Sequence, residues 1–301
     1  MLYQLSYTPA GPGASIVSLR AWQATSDKAS ASCPPMSTRP THLIPVELLL
    51  AAYRAGIFPM SDSRDDEEIF WVDPEERAII PLDGFRCSHS LAKLIRRDRF
   101  TVTCDQAFTQ VINACAAPRP DHPESWISER IAASYRELHA QGHAHSIECW
   151  QNGELVGGLY GVAFDRVFCG ESMFSRADNA SKVALAWLVA LLRHAGCELL
   201  DCQFMTDHLQ SMGAIPVSQD EYRDRLQAAR EGTPAMALPQ AYVAVVGSAA
   251  AAGAASGVGA DDGAADAVAR GAGRAALPPA DGLIASSSPG KLIAQSLTQT
   301  S

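Results

Sequence analysis

Between residues 145 and 205 the chain repeats a pattern that leaves few folds open. Three runs, "HSIECW" (145–150), "ELVGGLYGVAF" (154–164) and "RVFCGESMF" (166–174), read as strands separated only by Asn152–Gly153 and by Asp165. Asn-Gly is a strong hairpin signal, because both residues reach positive φ at little cost. A long helix pattern then runs from Asp178–Asn179 through Leu192. Arg193 and His194 stand near its negative end and Gly196 lies past it. "ELLDCQFM" (198–205) is one more strand. An antiparallel meander, a crossover helix and a further strand predict an α+β layer with helix packed on sheet.

The preceding residues carry clear punctuation. Pro45–Ala55 reads as a helix stopped by Gly56, followed by "GIFPM" and an acidic loop. "IFWVDPEERAIIPL" predicts two short strands broken at Asp73–Pro74. Ser88 can cap the basic helix "HSLAKLIRR". Asp105 is expected to cap a helix with Phe108, Val111, Ile112 and Cys115 on one face. Ser128 opens another, with Ile131, Tyr135 and Leu138 aligned and Gly142 at its end. From about residue 240 the chain turns to Ala, Gly, Ser and Pro, which bury too little to offset ordering entropy. The expected organisation is a disordered extension over 1–40, a small N-terminal α/β domain over 41–100, a catalytic domain over 101–239 and a disordered tail over 240–301. On that reading 41–239 suffices for activity.

Composition narrows the function. The formal charge is −9 over 301 residues, so a generally basic nucleic-acid binder is excluded and any phosphate contact must be local. Eight cysteines form no C-x-x-C pair and read as reduced, buried small hydrophobes of a cytoplasmic protein. The uncharged run 242–260 is too rich in Ala, Gly and Ser for a membrane helix, and no secretory h-region opens the chain.

Polar residues inside apolar strands raise the functional question. Asp201 and Gln203 share one strand face and are costly to bury without partners. They read either as a structural hydrogen-bond pair or as a pair that orients a substrate amine. Glu171 stands near Gly170 and the Gly157–Gly158 pair, where a ligand could approach the backbone closely. It reads as the partner of a cationic group or as an exposed strand-end acid. His143 and His145 form an H-x-H pair without an evident third ligand, which favours a structural role over a metal. Cys169 lies mid-strand without a nucleophile signature. Lys93, Arg96 and Arg97 share a helix face and make either a phosphate-binding strip or a solvated face.

Taken together, "GIFPM", "FWVDPEERAIIP", "SWI", "GHAHSIE", "LVGGLYGV", "FCGESMFSRADNASK", "LLDCQF" and "DHLQSMGA" resemble the leucyl/phenylalanyl-tRNA–protein transferase family over about residues 41–226. The resemblance implies an acyltransferase of GNAT-like fold that needs no cofactor or metal. It would move leucine or phenylalanine, with methionine a further candidate, from aminoacyl-tRNA to acceptor proteins with N-terminal Lys or Arg. That transfer marks acceptors for degradation by the N-end rule. By the same resemblance Gln203 accepts a hydrogen bond from the attacking amine, Asp201 polarises Gln203, and Glu171 holds the basic acceptor residue. Phe168, Leu159 and Leu185 would line the donor side-chain pocket. Trp126 and Met60 would lie near the terminal adenosine, and Lys93, Arg96 and Arg97 would contact tRNA. Met60 and Val72 stand where many relatives have tryptophan, and Leu159 is often methionine. Two other functions compete: an acetyl-CoA-dependent N-acetyltransferase and a non-catalytic tRNA-binding module. The first needs a glycine-rich pyrophosphate turn, and "SRADNAS" has no glycine.

Overall fold

The computed structural model describes residues 14–17, 43–118, 125–255 and 288–298. The first half contains β1 (Ala14–Val17), α1 (Val46–Arg54), β2 (Phe58–Met60), β3 (Phe70–Pro74) and β4 (Glu76–Ile80). Then come α2 (His89–Arg96), β5 (Thr101–Cys104), α3 (Phe108–Cys115) and α4 (Glu129–Ala140). The central run is β6 (Ala144–Gln151), β7 (Glu154–Phe164), β8 (Val167–Ser175), α5 (Ala180–Ala195) and β9 (Leu199–Gln203). The chain continues through α6 (Asp207–Ser211), β10 (Ile215–Ser218), α7 (Gln219–Arg230), α8 (Leu238–Ala255) and α9 (Pro289–Thr298).

Left-handed backbone at Asn152, Gly153 and Asp165 closes the two hairpins that the sequence predicts. They set the middle of a seven-stranded sheet ordered β10-β4-β9-β8-β7-β6-β5. Its pairings are antiparallel except β8 with β9, which the α5 crossover makes parallel. One sheet face packs on α5, with Leu159, Phe168, Leu185 and Leu200 in the same core. The other packs on α1, α3, α4 and α7, with Tyr53, Tyr135, Tyr160 and Tyr222 among its core residues. The expected α+β architecture is therefore observed.

Three expectations change. Strand β4 lies between β10 and β9, and Leu91 and Ile95 of α2 share the α5 core, so residues 76–100 go with the large sheet. The separate small sheet is β1-β3-β2 and ends at Pro74. Asp105 does not cap α3. Its carboxylate accepts from the Ser146 N–H at 2.8 Å and pairs with His145 Nδ1 at 2.7 Å, giving that histidine a structural partner. The amides of Gln106 and Ala107 at the start of α3 point instead to Glu148 across the sheet.

The third change concerns the tails. Most of the expected extension over 1–40 lies outside the described residues, as do 256–287, but Ala14–Val17 pairs with β3. The stretch expected to be a disordered tail supplies α8 and α9. Almost every residue of α5 is buried, and a helix apolar all round needs cover on both sides. The sheet gives one side and α8 and α9 the other: Leu238, Ala241, Ile293, Ala294 and Leu297 are buried in the α5 core. The Tyr242 hydroxyl donates to the Val102 carbonyl at 2.8 Å, and Arg193 donates to the Ser296 carbonyl at 3.0 Å.

A chain ending at residue 239 should therefore be less stable, not equivalent. Burying one large aliphatic side chain is worth about 1.5–3 kcal/mol, so losing Ile293 and Leu297 removes roughly 3–6 kcal/mol. The expected fall in melting temperature is on the order of 10 °C. Thermal unfolding of the full and shortened chains measures it, and identical curves would contradict the packing role of α8 and α9.

Candidate active site

Strands β8 and β9 pair only from Val167↔Leu199 to Cys169↔Asp201. Beyond that point β8 continues to Ser175 and β9 to Gln203 without a shared ladder, which opens a gap in the sheet. A Cβ on Gly170 would meet only the Asp201 carbonyl, at 3.5 Å, so this edge of β8 has room. Gly157, Gly158 and Gly161 are different. A Cβ there would strike Ala180, the Ile147 carbonyl, or the Cys169 carbonyl and Phe168 ring. These three glycines admit protein atoms rather than a ligand, which corrects the expectation for Gly157–Gly158.

Asp201, fully buried at the end of that ladder, holds four hydrogen bonds. Arg77 Nε donates to Oδ1 at 3.0 Å and Nη2 to Oδ2 at 2.7 Å. The Tyr222 hydroxyl donates to Oδ2 at 3.0 Å and the Gln203 backbone N–H to Oδ1 at 2.8 Å. A buried ion pair survives desolvation only when its remaining valences are met, and here they are. Arg77 also donates to the Gly56 carbonyl, and its guanidinium lies over the Phe58 and Tyr222 rings. Burial works most strongly against the Arg77 charge, but the Asp201 carboxylate and its hydrogen bond, together with Tyr222, outweigh it and keep the guanidinium protonated.

Glu171, also fully buried, sits on the same sheet face. Tyr53 donates to its Oε1 at 2.7 Å and Tyr135 to its Oε2 at 3.1 Å, and the two hydroxyls touch each other. Burial pushes the Glu171 carboxyl up to about 7, opposed first by the hydrogen bond from Tyr53 and then by the nearby Gln203 carboxamide. Burial, then the Glu171 charge, pushes both tyrosines up, so they remain neutral donors. The Gln203 carboxamide faces Glu171, yet its buried Nε2 has no protein partner at hydrogen-bond geometry.

Phe168, Leu159 and Leu185 come together on the opposite, α5 side of the sheet. Trp126 is half-buried, and its carbonyl accepts from the Ser61 N–H and hydroxyl, which brings it beside Met60. Met60 and Val72 are buried. Lys93, Arg96 and Arg97 are exposed at the C-terminal end of α2. The Cys169 thiol is pushed well up by burial and then by Asp201, which suits a packed side chain and not a nucleophile. Seven described cysteines are free thiols, and Cys33 lies outside the described residues.

Sequence reasoning missed Arg77, Tyr53, Tyr135 and Tyr222. Arg77 carried a usable signal, a charge directly against the apolar run "AII" of its strand. The tyrosines occupied ordinary apolar helix positions.

Two family models match the chain. The leucyl/phenylalanyl-tRNA protein transferase model covers residues 79–227, and the N-terminal domain model of the same transferase covers 44–75. The chain belongs to this family. The leucyl/phenylalanyl-tRNA–protein transferase of Novosphingobium aromaticivorans is 60% identical over 270 residues, 88% of this chain and 100% of that protein. The protein of the same name from Rhizorhabdus wittichii is 62% identical over 58% of this chain and 71% of its own length. That of Zymomonas mobilis is 58% identical over 63% and 70%. The two family models meet between Glu75 and Ile79, where the small sheet gives way to the large one. Among the described residues of this transferase-family chain, no helix is long and apolar enough to cross a membrane.

Proposed function

We propose that the gap between β8 and β9 is where an aminoacyl group passes from tRNA to a protein N-terminus. The chain is an aminoacyltransferase by family, acting on aminoacyl-tRNA and a protein acceptor. Leucine and phenylalanine as donors, and N-terminal Lys or Arg as acceptors, are our reading, as is the link to N-end rule degradation. The observation that carries it is the juxtaposition of a buried Gln203 carboxamide with an ionisable Glu171 beside the place where β8 and β9 part.

The aminoacyl ester is already activated, so alignment and loss of one proton suffice. In this reading the acceptor amine attacks the ester carbonyl, a C–N bond forms, and the C–O bond to the ribose breaks. Gln203 accepts a hydrogen bond from the amine, and the proton shed by nitrogen leaves with the ribose oxygen. Glu171, as carboxylate, takes the cationic side chain of the acceptor's first residue. Phe168, Leu159 and Leu185 take the donor side chain, and Trp126 and Met60 pack near the terminal adenosine. Lys93, Arg96 and Arg97 contact tRNA phosphates.

Labelled leucyl-, phenylalanyl- and valyl-tRNA offered to peptides beginning with Arg, Lys or Ala test this. Label should move from the first two donors to the first two acceptors. Equal transfer from valyl-tRNA or to Ala would overturn the specificity assigned to the pocket and to Glu171. Replacing Lys93, Arg96 and Arg97 together with Ala should weaken all these tRNAs alike. The slope of log affinity against log salt should flatten by about 2–3 if each contacts one phosphate. An unchanged slope would make α2 a solvated face.

A further inference from the structure

Gln203 ends β9 with φ of +63°. The other described non-glycine residues at positive φ are Asp98, Asp105, Asn152, Asp165 and Asn179, whose short polar side chains tolerate that region. Gln203 has no such excuse. The Phe204 N–H donates to the Cys202 carbonyl at 2.8 Å, so a two-residue hydrogen bond closes around a residue of positive φ. That is the rare, strained form of the γ-turn. Such strain persists only where the surroundings over-determine it, and it clusters at functional sites.

The surroundings here are specific. The Gln203 N–H is held by Asp201 Oδ1 at 2.8 Å, and Asp201 is gripped by the Arg77 fork and the Tyr222 hydroxyl. Arg77 is fixed in turn by the Gly56 carbonyl and by rings on two sides. The Asp201 carboxylate thus reaches the Gln203 backbone and not its carboxamide.

We propose that Arg77 is a positioning residue for transfer: through Asp201 it clamps the Gln203 backbone in the strained turn that presents the carboxamide to the substrate amine. The proposal rests on the assignment of Gln203 to the acceptor amine. It changes the role expected of Asp201, from polarising the amide to holding its backbone.

The test uses Arg77→Lys, which keeps the charge and loses the fork, and Tyr222→Phe, which removes one bond to Asp201 and keeps the ring. Misplacing a reacting group by a fraction of an ångström to 1 Å should slow single-turnover transfer by about 10–100-fold in Arg77→Lys and less in Tyr222→Phe. Affinities for donor tRNA and acceptor peptide should stay within about twofold. In a Gln203→Ala background neither substitution should slow transfer further, because the positioned group is gone. Equal fold-losses in both backgrounds, or normal turnover in Arg77→Lys, would overturn the clamp. Should Arg77→Lys fail to fold, Tyr222→Phe decides by the same comparison. Hydrogen exchange at the Gln203 amide needs no substrate. It should be slow in the full-length wild type and faster in Tyr222→Phe. Fast exchange in the wild type overturns the clamp, whereas slow exchange without any transfer would sink the functional assignment and leave the clamp standing.

Discussion

Gln203→Ala should fold normally and lose transfer by roughly 10²–10⁴-fold, the range expected when a group assisting proton transfer is removed. Asp201→Ala should lose turnover as well. Adding it to Gln203→Ala should cost little more in rate, because groups acting as one unit are not additive. The two differ in stability. Asp201→Ala strands the Arg77 charge in a fully buried site, which typically costs about 3–5 kcal/mol. Gln203→Ala removes an amide whose Nε2 has no protein partner and costs far less. Single-turnover rates and melting curves on the three variants separate these effects. A folded Gln203→Ala with normal turnover would remove Gln203 from the reaction.

Glu171→Gln should lose transfer to Arg- and Lys-initiated peptides by about 30-fold or more, since a buried cation then lacks its counter-charge. The wild-type pH dependence should carry the same group. Its carboxyl stands near 7 in the folded protein against an ordinary value of 4.5. Between those values the folded state holds the proton more tightly than the unfolded chain. Stability contributed by protonated Glu171 is therefore full below about 4.5 and is lost as pH rises through about 7, on the order of 3 kcal/mol. Activity runs the other way. Acceptor kcat/KM should rise as Glu171 ionises near 7, alongside the acceptor α-amine, which titrates at about 7.7–8.0. In Glu171→Gln only the amine titration should remain, and the melting temperature should lose its fall between pH 5 and 7. A wild-type melting temperature flat across that range would contradict the assignment.

The sheet was legible because its signals are local. Period-2 alternation, Asn152–Gly153 and Asp165 specify the meander, and the crossover helix announces itself by its length. Glu171 and Asp201 stood out as acids among apolar neighbours. Their partners did not, because the Tyr53–Glu171 and Arg77–Asp201 contacts span 118 and 124 residues of sequence. A tyrosine at an apolar helix position reads as core until its hydroxyl has a destination, and Tyr53 and Tyr135 are both core and donor. The C-terminal segment misled for a compositional reason. Ala and Gly look too small to build a core, but α8 and α9 needed only to complete one. The all-round apolar surface of α5 was the sign that a cover existed. Gly157 and Gly158 misled in the opposite sense, since close approach by protein backbone and by ligand leave the same mark in sequence.

At the centre stands one reaction, the joining of an aminoacyl group from tRNA to a free N-terminal amine. The most direct measurement offers leucyl-tRNA and acetyl-CoA together to a peptide beginning with Arg, with its N-acetylated form as control, and reads product masses. One added leucine on the free peptide, no acetylated product, and no change in the control are expected. An acetylated peptide, or unmodified peptide despite tRNA binding, would contradict it.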